Sequence, residues 1–350
     1  MRKLAILLLC ITFTLHNRVN RRNNHLGLYD SKAMELLFKY NNCENKSLIG
    51  QSIVNEDFPG ANMKGALLNH TDFLLTNLDY TDLEKANLSN ARLVYCSLVQ
   101  ANLKDTKLIQ TNLDYTILIK ANLKRCDAFS ASFMQMLATE ANFSEGKLTG
   151  SNFQNSNINL ADFRRSDLSE TNMNWMSAGG TKFQFANLHL AKLVGSSLRF
   201  ANFNYANLSY ANLKDVDAHR TSFRHCNLNH AHLIKAQASR TEFNNANLEW
   251  AQCIKADMRG AIFTGANLTN ANFSGAILLN AKDFDANANG LILCKTIMPD
   301  GSINNRDCNV ALKTSQNPIQ QPAQPKQTIN ISNPNQNNNL PTTPSKPHKK

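Results

Sequence analysis

Apolar residues recur at every fifth position along most of this chain. Taking Leu208 as a centre and stepping by five in both directions, the register holds without an insertion from Met63 to Leu278. The 44 centres are 23 Leu, 11 Phe, 3 Met, 5 Ala, one Ile and one Cys. The residue two places before a centre is small, usually Ala or Thr, and Asn or Asp stands between them in 25 units. The repeating unit is therefore small, polar, large and two further residues.

A period of five excludes an amphipathic helix, whose apolar positions recur at a period of 3.6. Asn is also unfavourable inside helices, because its side chain competes for backbone hydrogen bonds. In a strand, residues two apart share a face, so the small residue and the centre point inward and the polar residue points outward. The two remaining residues must turn the chain. The pattern predicts a coil of short sides joined by corners.

The phenylalanines indicate how many sides close one coil. Seven of them recur at every fourth centre: Phe143, Phe163, Phe183, Phe203, Phe223, Phe243 and Phe263. A column of Phe stacked from coil to coil predicts a solenoid with four sides. The preceding centre is reduced to Ala in several coils, at Ala138, Ala178, Ala218 and Ala238. We interpret this as volume compensation inside a narrow, close-packed core.

The repeats resemble the pentapeptide repeat family, A-(D/N)-L-x-x, over about two thirds of the chain. This resemblance implies an all-β fold, a right-handed quadrilateral parallel β-helix. It also implies caps, which "NNCENKSLIGQSI" and "LILCKTIMPDGSINNRDC" resemble. We predict an N-terminal cap with a short helix at 29–47, a pentapeptide repeat β-helix at 48–282 and a C-terminal cap hairpin at 283–310.

The two ends of the chain differ from the repeats. Residues 1–28 have a basic start and an apolar run over 4–15, which is short for a membrane span and typical of a signal peptide. The absence of an Ala-x-Ala site and the arginines that follow argue against simple cleavage, and the segment is either a cleavable signal or an uncleaved membrane anchor. We expect export to the periplasm, the cell envelope or the medium; the alternative is a cytoplasmic protein with an apolar terminus.

Residues 30–40 predict a short helix with Asp30 as N-cap and Met34, Leu37 and Tyr40 on one face. Residues 311–350 are rich in Gln, Asn, Pro and Lys, a composition that predicts disorder.

The eight cysteines fall into two groups. Cys96, Cys126, Cys226 and Cys253 occupy inward positions and are expected to be core residues, and Cys43 has no obvious partner. Cys294 and Cys308 flank an Asp300-Gly301 pair, which is a hairpin turn signal. In an exported protein these two are a candidate disulfide; in a cytosolic one they are two free thiols.

The charge of the chain does not indicate nucleic-acid binding by its body. The net charge is +11, but residues 1–28 and 311–350 each carry five basic and no acidic residues. This leaves 27 basic against 26 acidic residues in 29–310. Some pentapeptide repeat proteins protect DNA gyrase by resembling a DNA rod, which requires a strongly negative surface. The near-neutral body argues against that role.

No catalytic motif, phosphate loop or metal-ligand run is present, so we expect neither an enzyme nor a cofactor. His219, His225, His230 and His232 cluster in sequence but fall on different sides and corners. The pair His230 and His232 is a weak candidate for a metal, and solvated histidines are the favoured interpretation.

Two outward groups are candidate interaction surfaces. The first is cationic and follows the Phe side: Lys104, Lys124, Arg125, Arg164, Arg165 and Arg224, with Lys120, Arg220 and Arg240 at the preceding corner. It is either a stripe for an acidic partner or a solvated face with local ion pairs. The second is aromatic: Tyr95, Tyr115 and Trp175 share one turn position. These rings either form a protein contact or pack over their neighbours.

The sequence favours an exported, non-enzymatic scaffold that binds an unidentified protein through its wall or caps. The alternative is a bacterial effector or accessory protein that acts inside a host cell. A DNA mimic that binds gyrase is disfavoured by the charge.

Overall fold

The computed structural model describes residues 31–310. They include the helix α1 (Ser31–Tyr40), two short strands, β1 (Thr296–Ile297) and β2 (Ile303–Asn304), and a continuous stack of coils between α1 and β1. The last described residues, 308–310, are also helical. The predictions for residues 1–28, for the N-cap Asp30 and for the tail 311–350 lie outside the described residues.

Each coil consists of four repeat units, and equivalent residues of neighbouring coils pair in parallel. The pairs run from Asn42↔Asn62 to Ile277↔Ile297, and in each pair the partners lie four units apart. Backbone bonds connect the coils, as where the N–H of Leu208 donates to the carbonyl of Asn227 at 2.7 Å. The predicted quadrilateral parallel β-helix is confirmed. The ladder begins at Asn42, inside the segment that we assigned to the cap, because Cys43 is already a buried centre of the same register.

The centres and the small residues fill the interior of the solenoid. All seven phenylalanines of the column are at most 1 % exposed. Successive rings stack, with centroids 4.5 Å apart for Phe183 and Phe203 and 5.5 Å apart for Phe223 and Phe243. Burial also raises the pKa of the Cys96 and Cys126 thiols to about 12, so these core cysteines stay protonated at neutral pH.

Threonines at the small position add buried hydrogen bonds between coils. The Thr241 hydroxyl donates to the carbonyl of Ala218 at 2.7 Å, and Thr111 donates in the same way to Leu88. Each of these bonds joins residues 23 positions apart. A core position two residues before a centre therefore tolerates a hydroxyl, because the preceding coil supplies an acceptor.

Each corner ends in a residue with left-handed backbone. The φ angle is close to +60° at almost every fifth position, as at Tyr95, Asn155 and Tyr205. The N–H of the next residue closes a turn onto the preceding centre, as where Ala206 donates to the carbonyl of Phe203 at 2.9 Å. None of the non-glycine residues with positive φ in 31–310 is Val, Ile or Thr, since a β-branched side chain is strained there.

Helix α1 covers the first coil through two of the three residues that we predicted, Met34 and Leu37. Ala33 and Leu37, four residues apart, are buried, and Met34 packs partly against the core. Tyr40 is 59 % exposed, so its predicted place on the buried face is wrong. It lies at the last position of the helix, beyond the turn that contacts the coil. No helix within residues 31–310 is long and apolar enough to cross a membrane.

The C-terminal cap begins where the register fails. Asp283 is exposed, and Phe284 contacts Phe263 and Phe273, with centroids 5.3 and 5.2 Å away. Strands β1 and β2 then form an antiparallel hairpin around Asp300 and Gly301. Gly301 has a φ of +88°, which only glycine adopts readily.

The structure joins Cys294 and Cys308 in a disulfide, with Cα atoms 4.5 Å apart. Cys43, Cys96, Cys126, Cys226 and Cys253 are free and buried.

Candidate functional site

The cationic candidates are mostly paired with carboxylates. The ion pairs are Lys104–Glu84 at 3.6 Å, Lys124–Glu145 at 3.0 Å, Arg125–Asp105 at 2.7 Å, Arg164–Asp162 at 2.6 Å and Arg224–Glu242 at 2.8 Å. The hydrogen-bonded guanidinium of Arg125 lowers the pKa of Asp105. Lys120 pairs with Glu140 at the preceding corner, 3.6 Å away, and Arg220 lies over the ring of Phe200. Local ion pairs therefore engage most of these cations, which favours a solvated face over a stripe that binds an acidic partner.

The predicted aromatic group separates into two parts. Tyr95 and Tyr115 stack with centroids 4.7 Å apart, and the Gln135 amide donates to the Tyr115 hydroxyl at 3.3 Å. Trp175 lies on the same corner column, three coils further along. Its ring packs over Gly195, where an added Cβ would come within 2.2 Å of the ring. Trp175 is still 58 % exposed, so it keeps an accessible edge.

A larger aromatic surface was missed by the sequence analysis. Two neighbouring corners carry stacked rings, and the side between them joins the two stacks into one surface. We call this surface the aromatic-edged face. It consists of residues 185–190, 205–210, 225–230 and 245–250.

One edge of the aromatic-edged face is the stack of Phe185, Tyr205 and His225. The centroids are 5.0 and 4.7 Å apart, and the rings are parallel within 5°. The other edge is the stack of Tyr210, His230 and Trp250, with centroids 4.6 and 6.0 Å apart. Phe185, Tyr205 and Trp250 are 54, 52 and 42 % exposed. Both edges therefore offer ordered aromatic surface to a partner.

A ladder of asparagine amides forms the surface between the two edges. Asn207 donates to the side-chain oxygen of Asn187 at 3.0 Å, and Asn227 donates to Asn207 at 3.1 Å. The same oxygens accept backbone N–H groups, as where Ser209 donates to Asn207 at 3.2 Å. These amides are fixed on both sides, so the face is rigid before any partner arrives.

The aromatic-edged face is almost uncharged. Glu249 is its single Asp, Glu, Lys or Arg residue, and Arg224 lies beside its border. A partner that covers this face desolvates few charged groups. The centres of protein interfaces are likewise poor in charged residues. By contrast, the ion-paired walls would require charged groups to be desolvated.

The histidines have local roles in the wall. His225 and His230 belong to the two aromatic stacks, and His219 bonds to the Ser239 hydroxyl at 2.9 Å. Burial and the neighbouring His230 lower the pKa of His232. Within residues 31–310 no group of His, Cys, Asp and Glu side chains is placed to hold a metal ion.

The signal for the aromatic-edged face was present in the sequence. Tyr95, Tyr115 and Trp175 were found because they lie a whole number of coils apart on one corner. The same comparison on the other corners finds Phe185 and Tyr205, and Tyr210 and Trp250. Aromatic residues that recur in this way on a corner are candidates for stacking in any four-sided coil.

The fold and its wall define a β-helix solenoid whose candidate contacts lie on its outer surface. The family model described as pentapeptide repeats (8 copies) matches residues 57–93, 96–133, 139–174, 181–217, 221–252 and 241–280. These segments make up more than half of the chain, and the protein belongs to the pentapeptide repeat family.

Solved structures of similar proteins belong to the same family. HetL, a pentapeptide repeat protein involved in heterocyst differentiation regulation from the cyanobacterium Nostoc, is 22 % identical; the match covers 80 % of this chain and all of HetL, with a TM-score of 0.40. Full-length QnrB1, a plasmid-mediated fluoroquinolone resistance protein, is 16 % identical over 78 % of this chain and all of QnrB1, with a TM-score of 0.19. A pentapeptide repeat protein of the Arabidopsis thaliana thylakoid lumen is 27 % identical over 31 % of this chain and 63 % of its own, with a TM-score of 0.19. No curated protein sequence matches the chain significantly.

Proposed function

We propose that this protein is a non-enzymatic scaffold that binds a protein partner through the aromatic-edged face. The observation that carries the proposal is the rigid, nearly uncharged surface between two exposed aromatic stacks. Tyr, Trp and Phe anchors surrounded by Asn and Ser are the composition of protein-binding surfaces, because aromatic rings supply contact area at little entropic cost.

The proposal includes export. The basic start and apolar run of residues 1–28 support it, as does the disulfide between Cys294 and Cys308, since disulfides persist in oxidising compartments. Cell fractionation and mass spectrometry of the mature N-terminus test this part. Recovery of the chain in the cytoplasm alone, with residues 1–28 intact, would contradict export.

Site-specific photo-crosslinking of the full chain in its own cells tests the binding face. A photo-reactive amino acid at Tyr205 should yield a discrete protein adduct, and adding Trp250→Ser should abolish it. Tyr80 is the matched control, because it is a tyrosine that is 60 % exposed on a different corner. The absence of an adduct at Tyr205, or the same adducts at Tyr205 and Tyr80, would exclude this face. A photo-reactive amino acid at Tyr95 tests in the same way whether the stacked Tyr95–Tyr115 pair contacts a protein partner.

A further inference from the structure

The described chain ends beside the aromatic-edged face. The N–H of Asp307 donates to the carbonyl of Leu293 at 2.9 Å, and the Arg306 guanidinium donates to the carbonyl of Leu291 at 2.8 Å. Together with the disulfide between Cys294 and Cys308, these bonds hold the chain end against residues 291–294. That side directly follows the corner at Gly290, which belongs to the same column as Trp250. The two corners are two coils apart, about 10 Å at the spacing of paired strands.

The sequence that continues from this point carries no acidic residue and few basic ones, and it is rich in proline. Residues 314–345 contain six prolines, no acidic residue and a single basic residue, Lys326. Within them, Ile319, Pro322 and Pro325 are spaced three apart. A polyproline II helix has three residues per turn, so these three would form one apolar edge. We call residues 317–326, NPIQQPAQPK, the proline segment.

The dimensions of the proline segment and the face agree. Three residues of polyproline II advance about 9.3 Å, and two coils advance about 9.6 Å. Successive members of the apolar edge would therefore meet every second ring of a stack, as Tyr210 and Trp250 are placed. Eight residues, the separation of Val310 and Pro318, span at most about 25 Å. The corner at Gly290 lies about 10 Å from that of Trp250 and about 25 Å from that of Phe185, so both ends of the face lie within this reach.

We propose that the proline segment of the same chain docks on the aromatic-edged face and competes there with the protein partner. Proline-rich peptides bind aromatic-lined surfaces because their extended helix is already ordered. Neither surface brings a charge that must be desolvated, apart from Lys326 and Glu249 at the ends. Tethering places the segment at a high effective concentration, so a partner must displace it. The docking would regulate the proposed binding face, so the competition with a partner rests on the proposed function.

The two tryptophans of the chain, Trp175 and Trp250, make the proposal testable. In a full chain with Trp175→Phe, Trp250 is the sole tryptophan and reports on the face. Replacing Ile319, Pro322 and Pro325 by Ser should raise the acrylamide quenching constant of Trp250 about two-fold. Replacing Pro334, Pro341 and Pro344 by Ser is the matched control and should leave quenching unchanged. In the reciprocal Trp250→Phe chain, Trp175 should respond to neither change.

Two outcomes would overturn the proposal. One is an equal quenching constant of Trp250 in the chain with the unchanged tail and in both chains with serine substitutions. The other is protection that disappears on dilution, because the segment would then occupy the face of a second copy. This test is independent of the cross-linking at Tyr205. If the tail docks but Tyr205 gives no adduct, only the proposal of a protein partner is contradicted. If Tyr205 gives an adduct but the tail does not dock, only the proposal of regulation by the tail is contradicted.

Discussion

The guanidinium of Arg165 lies over the ring of Phe185, 5.5 Å from its centroid, at the point where one corner column changes character. Before it, the column alternates in charge through Lys85, Asp105, Arg125 and Glu145. After it, the column is the aromatic stack that edges the proposed binding face. Arg165 therefore terminates the charged column and covers the outer ring of the aromatic one.

A double-mutant cycle tests the coupling between these two residues. We expect Arg165→Gln and Phe185→Leu to be non-additive by about 0.5–1 kcal/mol, the size of an exposed cation–π interaction. The free energies of unfolding of the four chains measure it. Arg199 is a suitable control cation because it pairs with Asp217 instead, so Arg199→Gln should be additive with Phe185→Leu.

The interior position of the Phe column can be tested with two phenylalanines of opposite exposure. Phe223→Ala should lower the free energy of unfolding by about 3–5 kcal/mol, because it leaves a cavity between stacked rings. Phe200 is 60 % exposed at a corner, so Phe200→Ala should cost far less. Denaturant unfolding compares the two, and equal losses would contradict the assigned core.

The hydroxyl of Thr241 should contribute a single net hydrogen bond. Thr241→Val keeps the shape of the side chain but removes the donor to the Ala218 carbonyl, which retains the N–H of Thr221. The expected loss is therefore about 1 kcal/mol, the net value of one hydrogen bond, without the larger cost of an orphaned carbonyl. Thr139→Val is the control, since Thr139 is a half-buried corner residue whose hydroxyl makes no hydrogen bond within residues 31–310. A loss at Thr139 as large as at Thr241 would contradict this account.

Much of the fold follows from the period of the sequence. A spacing of five excludes helices, and the recurrence of Phe at every fourth centre sets the number of sides, so the core could be assigned from the sequence alone. The ion pairs were less accessible. Arg125 and Asp105 lie one full coil apart and pair as the coil dictates, whereas Arg224 reaches Glu242, which is two positions short of a full coil. A long side chain can reach several oppositely charged neighbours, and the spacing in the sequence does not decide with which of them it pairs.

The ends were the least predictable parts, because the repeat no longer constrains them. Phe284 replaces the failed centre Asp283 by a shift of one residue. Tyr40 follows helical periodicity yet lies outside the contact, because α1 meets only one coil. The aromatic-edged face was predictable in principle, since its residues obey the same period of four units as the Phe column.

The left-handed corners predict an ordering of substitutions at Asn155, which has a φ of +59°. Asn155→Val should destabilise by about 1–2 kcal/mol, because a β-branched side chain is strained in this conformation. Asn155→Gly should be neutral or slightly stabilising, since glycine adopts positive φ freely. Thermal unfolding of the two variants gives the order. Equal stability of the Val and Gly chains would show that the corner relaxes to another conformation.

The disulfide should stabilise the C-terminal cap locally. It closes a loop with a sequence separation of 14, for which chain entropy gives about 3 kcal/mol. A solenoid distributes stability between neighbouring coils, so Cys294→Ser with Cys308→Ser should loosen the last coils first. Hydrogen exchange should accelerate at Ile292 and Ile297, whose N–H groups donate to Ala271 and Ala276. The amide of Leu123, which donates to Asn142 in a central coil, should be unchanged and serves as the internal control. Peptide mapping of the unreduced protein should recover Cys294 and Cys308 in one linked fragment. Two freely alkylated thiols, or exchange at Ile292 that is identical in both chains, would show that the disulfide does not hold the cap.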